Sequence, residues 1–330
     1  MNDPSLSYVM TTRNRLPLLR VVLSRLIEHR SDDEEILVVD GASTDGTAGY
    51  LSDLLERGLI QHFSSQPDHG EAHGLNRGIV QAKGRLIKVM SDDDAYYWKG
   101  IEACKDFMLE HEEVDVLGSN GGGTDWALSD PFARFDYEQL FLRWQHDHSC
   151  FGFCGLGLMI RRDSLPLVGL FNPAFVRVDM EFALRITQGP CRLAWHLGCD
   201  YLRIGHDQSN GIAQKTRLAE EAAYMAAHEG TRTVRPRMPE AAAPQPYHRR
   251  LRSAAGRLRR RLMQTAVPTI DEPVPKMLST SHGPGDWYKV FEEAERWLAE
   301  CNLEPRGFLY EAARLSSPFS SSPPEVETER

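Results

Sequence analysis

The chain has 330 residues, 41% hydrophobic and 26% charged, a globular composition with room for one large α/β domain and an appendage. Its formal net charge of -9 argues against a surface built for nucleic acid, and no nucleic-acid partner is expected. Six cysteines without framework spacing exclude a small disulfide scaffold and suit a reducing compartment.

In chain order, Met1 to Ser7 is polar and the next segment is too charged for a secretory leader. Tyr8 to Met10 predicts a short strand leading into Thr11-Thr12-Arg13-Asn14-Arg15. Pro17 suits a first helical turn, and Leu16, Leu19, Leu23, Leu26 and Ile27 keep helical spacing. Ile36 to Val39 is an uninterrupted apolar run, the pattern of a strand buried on both faces. It ends in Asp40-Gly41, and a Ser/Thr/Asp/Gly cluster leads into a helix carrying Leu51, Leu54 and Leu55, stopped at Gly58. A third strand is predicted over Leu59–Phe63, a loop over Ser65–Gly70, and a helix with Leu75, Ile79 and Val80 ending at Gly84. Leu86 to Met90 reads as a fourth strand that runs directly into Ser91-Asp92-Asp93-Asp94. A helix with Ile101, Cys104, Phe107 and Met108 then precedes a strand over Val114–Leu117. Strands alternating with helices predict right-handed crossovers and a doubly wound, mostly parallel sheet.

Gly118 to Gln145 is glycine- and aromatic-rich and is expected to add antiparallel strands over the carboxyl edge of the sheet. Ser149 to Ile160 reads as buried or ligand-facing. It is the longest uncharged run, is interrupted by glycine and is too short to span a bilayer. A cytoplasmic location is expected from this and from the polar start. Asp179 to Ile186 predicts a helix, and Leu193–Leu197 and Cys199–Ile204 two closing strands. Ala219 to His228 is helical by pattern, Arg232 to Tyr247 is Pro-rich and linker-like, and Trp287 to Cys301 is amphipathic. Between Arg249 and Arg261 seven arginines share a segment with Leu251, Ala255, Leu258 and Leu262. That segment is either a solvated linker helix or a peripheral contact of residues 249–263 with anionic membrane at its inner face. From Ser316 onward Ser, Pro and Glu predict disorder. The expected division is a catalytic domain over 1–209, a helical and basic extension over 210–264, and a helical C-terminal region with a disordered tail over 265–330.

Chemistry concentrates where strands end in carboxylates, because ligands of open α/β sheets bind in the crevice outside those ends. Asp40 and Asp45 could simply cap a turn and a helix. Three neighbouring carboxylates at Asp92–Asp94, however, repel one another unless a cation neutralises them. Hard oxygen ligands favour magnesium or manganese, bound through one or two carboxylates and a substrate phosphate. His146, His148, Cys150 and Cys154 invite a zinc reading, but small apolar cysteines in a buried run describe them better.

Residues from about 7 to 205 resemble family 2 glycosyltransferases of the GT-A fold, inverting nucleotide-sugar transferases. Thr12-Arg13-Asn14-Arg15 is similar to the family's opening motif, with Arg13 in place of the usual aromatic. Val38 to Thr47 is close to its second signature. Ser65-Gln66-Pro67-Asp68-His69-Gly70 with Asn76-Arg77-Gly78-Ile79 is similar to a bacterial exopolysaccharide branch, with His73 where that branch often has Asp.

The resemblance implies that Thr12, Arg13, Asn14 and Asp40 line a nucleotide-sugar site, flanked by Asp68 and Arg77. It implies a bound Mn2+ or Mg2+ on Asp93, with Asp92 and Asp94 contributing through water or to the ribose. Reading the motif letters directly gives Asp92-x-Asp94 instead. Asp179 matches the catalytic carboxylate, with Glu181 as the next candidate, and His206 resembles a late histidine near the metal or diphosphate. The implied partners are a nucleotide-diphosphate sugar donor and a glycan or lipid-linked acceptor. The alternative is a catalytically silent GT-A domain that binds a glycan or a complex. A Rossmann dehydrogenase fits poorly, since no Gly-x-Gly-x-x-Gly follows the first strand.

Overall fold

The computed structural model describes residues 3–124, 131–206, 215–228, 284–304 and 306–310. The arginine-rich segment 249–263, the Pro-rich stretch and the tail beyond Ser316 lie outside the described residues.

The apolar runs become strands buried along almost their whole length: β1 (Leu6–Thr12), β2 (Glu34–Asp40) and β4 (Leu86–Met90). With β3 (His62–Ser65) they form a parallel half-sheet, each strand joined to the next through a helix: α1 (Leu16–His29), α2 (Thr47–Glu56) and α3 (Glu71–Gln81). The second half holds β6 (Val116–Thr124), β8 (Met159–Arg161), β9 (Leu193–Arg203) and β10 (Phe308–Leu309). The ten-stranded sheet runs β3-β2-β1-β4-β8-β6-β9-β10; β5 (Ala95–Tyr96) pairs with β9, and β7 (Phe132–Phe135) pairs with β6. An antiparallel β8 between β4 and β6 leaves β4, β6 and β9 pointing the same way. The carboxyl ends of β1, β2, β4 and β9 therefore share one edge.

Helices cover both faces. On one side α1, α4 (Trp98–Glu110) and α9 (Pro284–Cys301) pack around Leu19, Leu23, Met108 and Phe291. On the other, α3, α5 (Glu138–Asp147) and α7 (Val178–Gln188) pack around Trp195, Phe141, Phe153 and Phe182. The short α6 (Leu165–Val168) and α8 (Lys215–His228) complete the chain.

Three departures from the sequence pattern have local causes. The third strand begins at His62 rather than Leu59, because Gly58 (φ +69°) turns the chain and the Leu59 amide bonds back to Leu54. The two closing strands are one strand, β9, with a register shift: His196 opposes Ser119 but Cys199 opposes Asn120. The glycine run 121–123 continues β6 instead of ending it, since a Cβ on Gly121 would lie 2.2 Å from the Tyr201 ring and one on Gly122 2.6 Å from Trp297. Glycine in a strand marks such close approach.

The region beyond 284 docks on this same core. α9 buries Val290, Phe291, Ala294 and Leu298, each large side chain contributing about 1.5–3 kcal/mol by transfer. Arg25 meets Glu295 at 2.6 Å. The Asn302 side chain takes the Cys199 amide at 3.0 Å and donates to its carbonyl at 2.8 Å, holding β9 at its irregularity. Among the described residues no helix is long and apolar enough to cross a membrane.

Lys88, in β4, is buried among apolar residues and donates to the Leu156 and Leu158 carbonyls. Burial lowers its amine to about 8. An amine depressed in the fold binds fewer protons there than in the unfolded chain, so stability rises with pH from about 8 to the usual lysine range. Each pH unit in that window is worth at most about 1.4 kcal/mol. Urea melts across the window should therefore show the wild type gaining on Lys88→Met as pH rises; a constant difference would contradict the assignment.

Candidate active site

The shared edge is built by two loops and one acidic corner. Thr12 and Asp40 are register partners at the ends of β1 and β2, and the Gly41 amide donates to the Thr12 carbonyl at 2.9 Å. Asp40 is fully buried and accepts from the Ser43 amide and hydroxyl and from the Ser65 hydroxyl. It thus fastens the β2–α2 loop to the start of the Ser65–Gly70 loop. Asn14 takes a positive φ of 52° and Ala42 one of 62°, a conformation uncommon outside glycine. Asn14 links the first two loops: its amide donates to Ser43 Oγ at 2.7 Å, and its side-chain oxygen accepts from the Thr44 amide at 2.8 Å. Asp45 caps α1 from the neighbouring loop, accepting from the Leu16 amide at 2.9 Å. Burial works against its charge, but the bonds from Thr47 and Leu16 outweigh it and hold the carboxyl low.

Asp68 closes over this corner. A Cβ on Gly41 would stand 2.7 Å from Asp68 Oδ2 and 3.2 Å from Arg13 Cδ, so Arg13, Gly41 and Asp68 are gathered at one spot. Arg77 is turned to the loop itself, donating to Ser64 Oγ at 3.1 Å and Gln66 Oε1 at 3.2 Å.

The acidic corner lies just past β4. Asp92, Asp93 and Asp94 are all buried. Arg15 bridges the first two, with one guanidinium nitrogen 2.9 Å from Asp92 and 2.8 Å from Asp93. His206, just past β9, places Nε2 2.9 Å from the same Asp93 oxygen. Burial opposes ionisation of Asp93, yet the His206 hydrogen bond and the Arg15 charge prevail and keep it below the ordinary carboxylate range. Burial and the Asp93 charge push Asp92 up to about 6, against the pull of Arg15. The same two causes raise Asp94 well above its usual value. Asp94 is tied into the chain, accepting from Ser91 Oγ at 2.6 Å and the Ile204 amide at 2.7 Å.

These groups fit a hard divalent cation. Asp92 Oδ2 is buried with no hydrogen-bond partner, next to an ionised Asp93 and an imidazole nitrogen. Two oxygen donors and one nitrogen, in a corner that favours protonation without added positive charge, suit magnesium or manganese.

Asp179 lies in the first turn of α7, two residues past the N-cap position held by Arg177, so it is not the capping residue. Its Oδ2 accepts from the Gly155 amide at 3.0 Å, and a Cβ on Gly155 would come within 2.9 Å of Asp179 Cβ. Cys154 senses both carboxylate groups: burial, with the Asp179 charge and a smaller share from Asp94, pushes its thiol up to about 12. Glu181 is committed elsewhere, paired with Arg185 at 3.0 Å on the same helix. The loop before α7 is held by Glu221 of α8, which accepts from the Val176 amide at 2.6 Å and the Arg177 amide at 2.9 Å. Cys150 packs with Leu184 and Met225 as a small apolar residue, apart from any zinc-like grouping with His146.

Sequence reasoning passed over Arg15, Glu221 and Trp287. Arg15 had a signal, since three adjacent carboxylates need a cation and the nearby motif carries two arginines. Glu221 and Trp287, whose ring meets His206 edge-on at 5.8 Å, had none: only packing brings them here.

The model of glycosyl transferase family 2 matches residues 7–165. A PGL/p-HBAD biosynthesis glycosyltransferase of Mycobacterium bovis (strain BCG / Pasteur 1173P2) is 26% identical over 199 residues, covering 58% of this chain and 72% of that protein. A poly-beta-1,6-N-acetyl-D-glucosamine synthase of Staphylococcus epidermidis is 20% identical over 208 residues, covering 58% and 50%. Among solved structures, S. aureus TarS 1-349 in complex with UDP-GlcNAc aligns with a TM-score of 0.52 at 17% identity, over 68% of this chain and 66% of that one. The mannosyltransferase PcManGT from Pyrobaculum calidifontis, in complex with GDP-Man and Mn2+, aligns at 0.51 and 19% identity, over 70% and 66%. At such identities the structural likeness speaks for the fold. With the sheet, the acidic corner and the family match converging, the chain has the GT-A fold, and its residues 7–165 match glycosyltransferase family 2.

Proposed function

We propose that this chain is an inverting, metal-dependent glycosyltransferase. It moves a sugar from a nucleotide-diphosphate donor to a hydroxyl of a glycan, lipid-linked or other acceptor, in bacterial surface polysaccharide or glycoconjugate synthesis. The observation that carries the reading is the convergence of Asp92, Asp93, Arg15 and His206 at the edge that also holds Thr12 and Asp40. The similar biosynthesis glycosyltransferase and polysaccharide synthase support an acceptor of this class.

In this reading the nucleotide lies against Thr12, Arg13, Asn14 and Asp40, with Asp68 and Arg77 flanking it. Asp93 and His206, with Asp92 beside them, would hold Mn2+ or Mg2+, which supplies charge neutralisation for the donor diphosphate. Arg15 adds a fixed positive charge at the same place. Asp179 accepts the proton of the acceptor hydroxyl as its oxygen attacks the anomeric carbon opposite the departing diphosphate. The Gly155 amide orients that carboxylate. Glu181, held by Arg185, is not free to share the role.

A screen of donor hydrolysis over nucleotide sugars, with and without manganese, tests the reading as a whole. Turnover of one donor identifies class and donor together, whereas binding without turnover would favour a silent domain. Asp93→Ala should abolish transfer and weaken donor binding while the circular dichroism spectrum is unchanged; full activity in chelator would remove the metal from the scheme. Asp179→Asn preserves size and the acceptor oxygen for the Gly155 amide but cannot take a proton. Transfer should fall by about 10²–10⁴-fold with donor affinity unchanged, and a near-normal rate would eliminate Asp179 as the base. For the basic segment, full-length protein should sediment with anionic vesicles in a salt-sensitive way that deletion of 249–263 removes; equal recovery in the supernatant would refute the contact.

A further inference from the structure

A second group of metal-ligating side chains lies inside the core, between α4 and β9. Cys104 comes from α4 and His196 and Asp200 from β9; all three are buried, and one donor atom of each lies within 4.8 Å of the others. His196 Nδ1 is 2.7 Å and Cys104 Sγ 3.4 Å from Asp200 Oδ2. This group is apart from the acidic corner, since β9 must run four more residues, roughly 13 Å at strand rise, before Ile204 meets Asp94.

The backbone is shaped to bring these residues together. In a regular strand, residues four apart stand roughly 13 Å from each other. Here the register shift between His196 and Cys199 draws the imidazole back onto Asp200. That fold-back depends on Gly198, where a Cβ would lie 2.3 Å from the His196 ring. The carboxylate in turn depends on Gly100, where a Cβ would lie 2.0 Å from Asp200 Oδ1. Asn302 fixes the strand beside it through Cys199, and Phe308 stacks on His196 with ring centroids 4.7 Å apart.

Hydrogen bonding within the trio uses only one oxygen of Asp200. The other, Oδ1, is buried with no hydrogen-bond partner, the condition that a buried charge does not keep without a cation or donors. We propose that Cys104, His196 and Asp200 bind a zinc ion, distinct from the divalent cation of the active site, that fastens α4 to β9. One thiolate, one imidazole and one carboxylate form a borderline-soft set that selects zinc over magnesium or manganese. The second Asp200 oxygen is available as a fourth donor. On binding, Cys104 loses its thiol proton to solvent, so thiolate and carboxylate together balance the charge of the ion. Burial under α4 and Phe308 makes the site structural, without an open position for substrate.

The inference does not rest on the proposed transfer reaction, and its test avoids activity. Full-length Asp93→Asn protein, with the active-site ligand removed, is purified, exchanged through a weak chelator and assayed for zinc. The same protein loaded with cobalt is examined for a thiolate-to-cobalt charge-transfer band. The expected result is one zinc per chain and a cobalt–thiolate band, with Tm rising as free zinc rises; Cys104→Ala and His196→Ala in that background should lose all three. If Cys104→Ala does not fold, Cys104→Ser and His196→Gln carry the same comparison. Folded protein with no retained zinc and no thiolate band, or zinc retention indifferent to the Cys104 substitutions, would overturn the site.

Discussion

Three carboxylates buried side by side at the end of β4 are the constraint around which this domain is arranged. Each would be easier to keep protonated than charged, and Asp92 and Asp94 are raised accordingly by burial and by Asp93. Support for the ionised form must come from elsewhere in the chain, and it comes from two separate directions, a charge from Arg15 and a hydrogen bond with His206. Arg15 reaches in from the loop after β1, and His206 from the end of β9. Both can do so because β1, β4 and β9 run the same way and finish at one edge. The corner is therefore a product of topology: an antiparallel β9 would deliver His206 to the opposite end of the sheet.

The elements beyond the family match give that corner its rigidity. β9 is held against β6 on one side and β10 on the other, while α9 and Asn302 secure it from the helical face. Trp287 stands against His206, so the C-terminal helix touches a residue that faces the acidic corner. On the opposite helical layer, Glu221 of α8 holds the loop that precedes Asp179. In both cases a late helix fixes the start or end of an element carrying a candidate side chain, which is how segments remote in sequence reach the candidate site.

Most of the parallel half was legible because β1, β2 and β4 are buried and built around apolar runs, punctuated by helices with clear spacing. The other half was less so. Its strands are short or glycine-rich, and the glycines of β6 carry no hydrophobic signal although they are required by Tyr201, Trp297 and Phe135 packing against them. β10 is two residues long, too brief for any periodicity. Gly198 looked like a break between strands, whereas it permits an irregularity within one.

For the candidate site, the sequence by itself singled out the residue types suited to such chemistry: carboxylates at strand ends, a basic loop after the first strand, and an aspartate opening a late helix. Those are properties of short stretches, set by local pattern and motif. Only the tertiary structure decided how the charges are shared. It assigned Asp93 to Arg15 and His206, tied Asp94 to Ser91 and Ile204, took Glu181 out through Arg185, and turned Arg77 toward its own loop. Pairings across 77 to 113 residues of chain arise from strand order and direction, which no local pattern encodes.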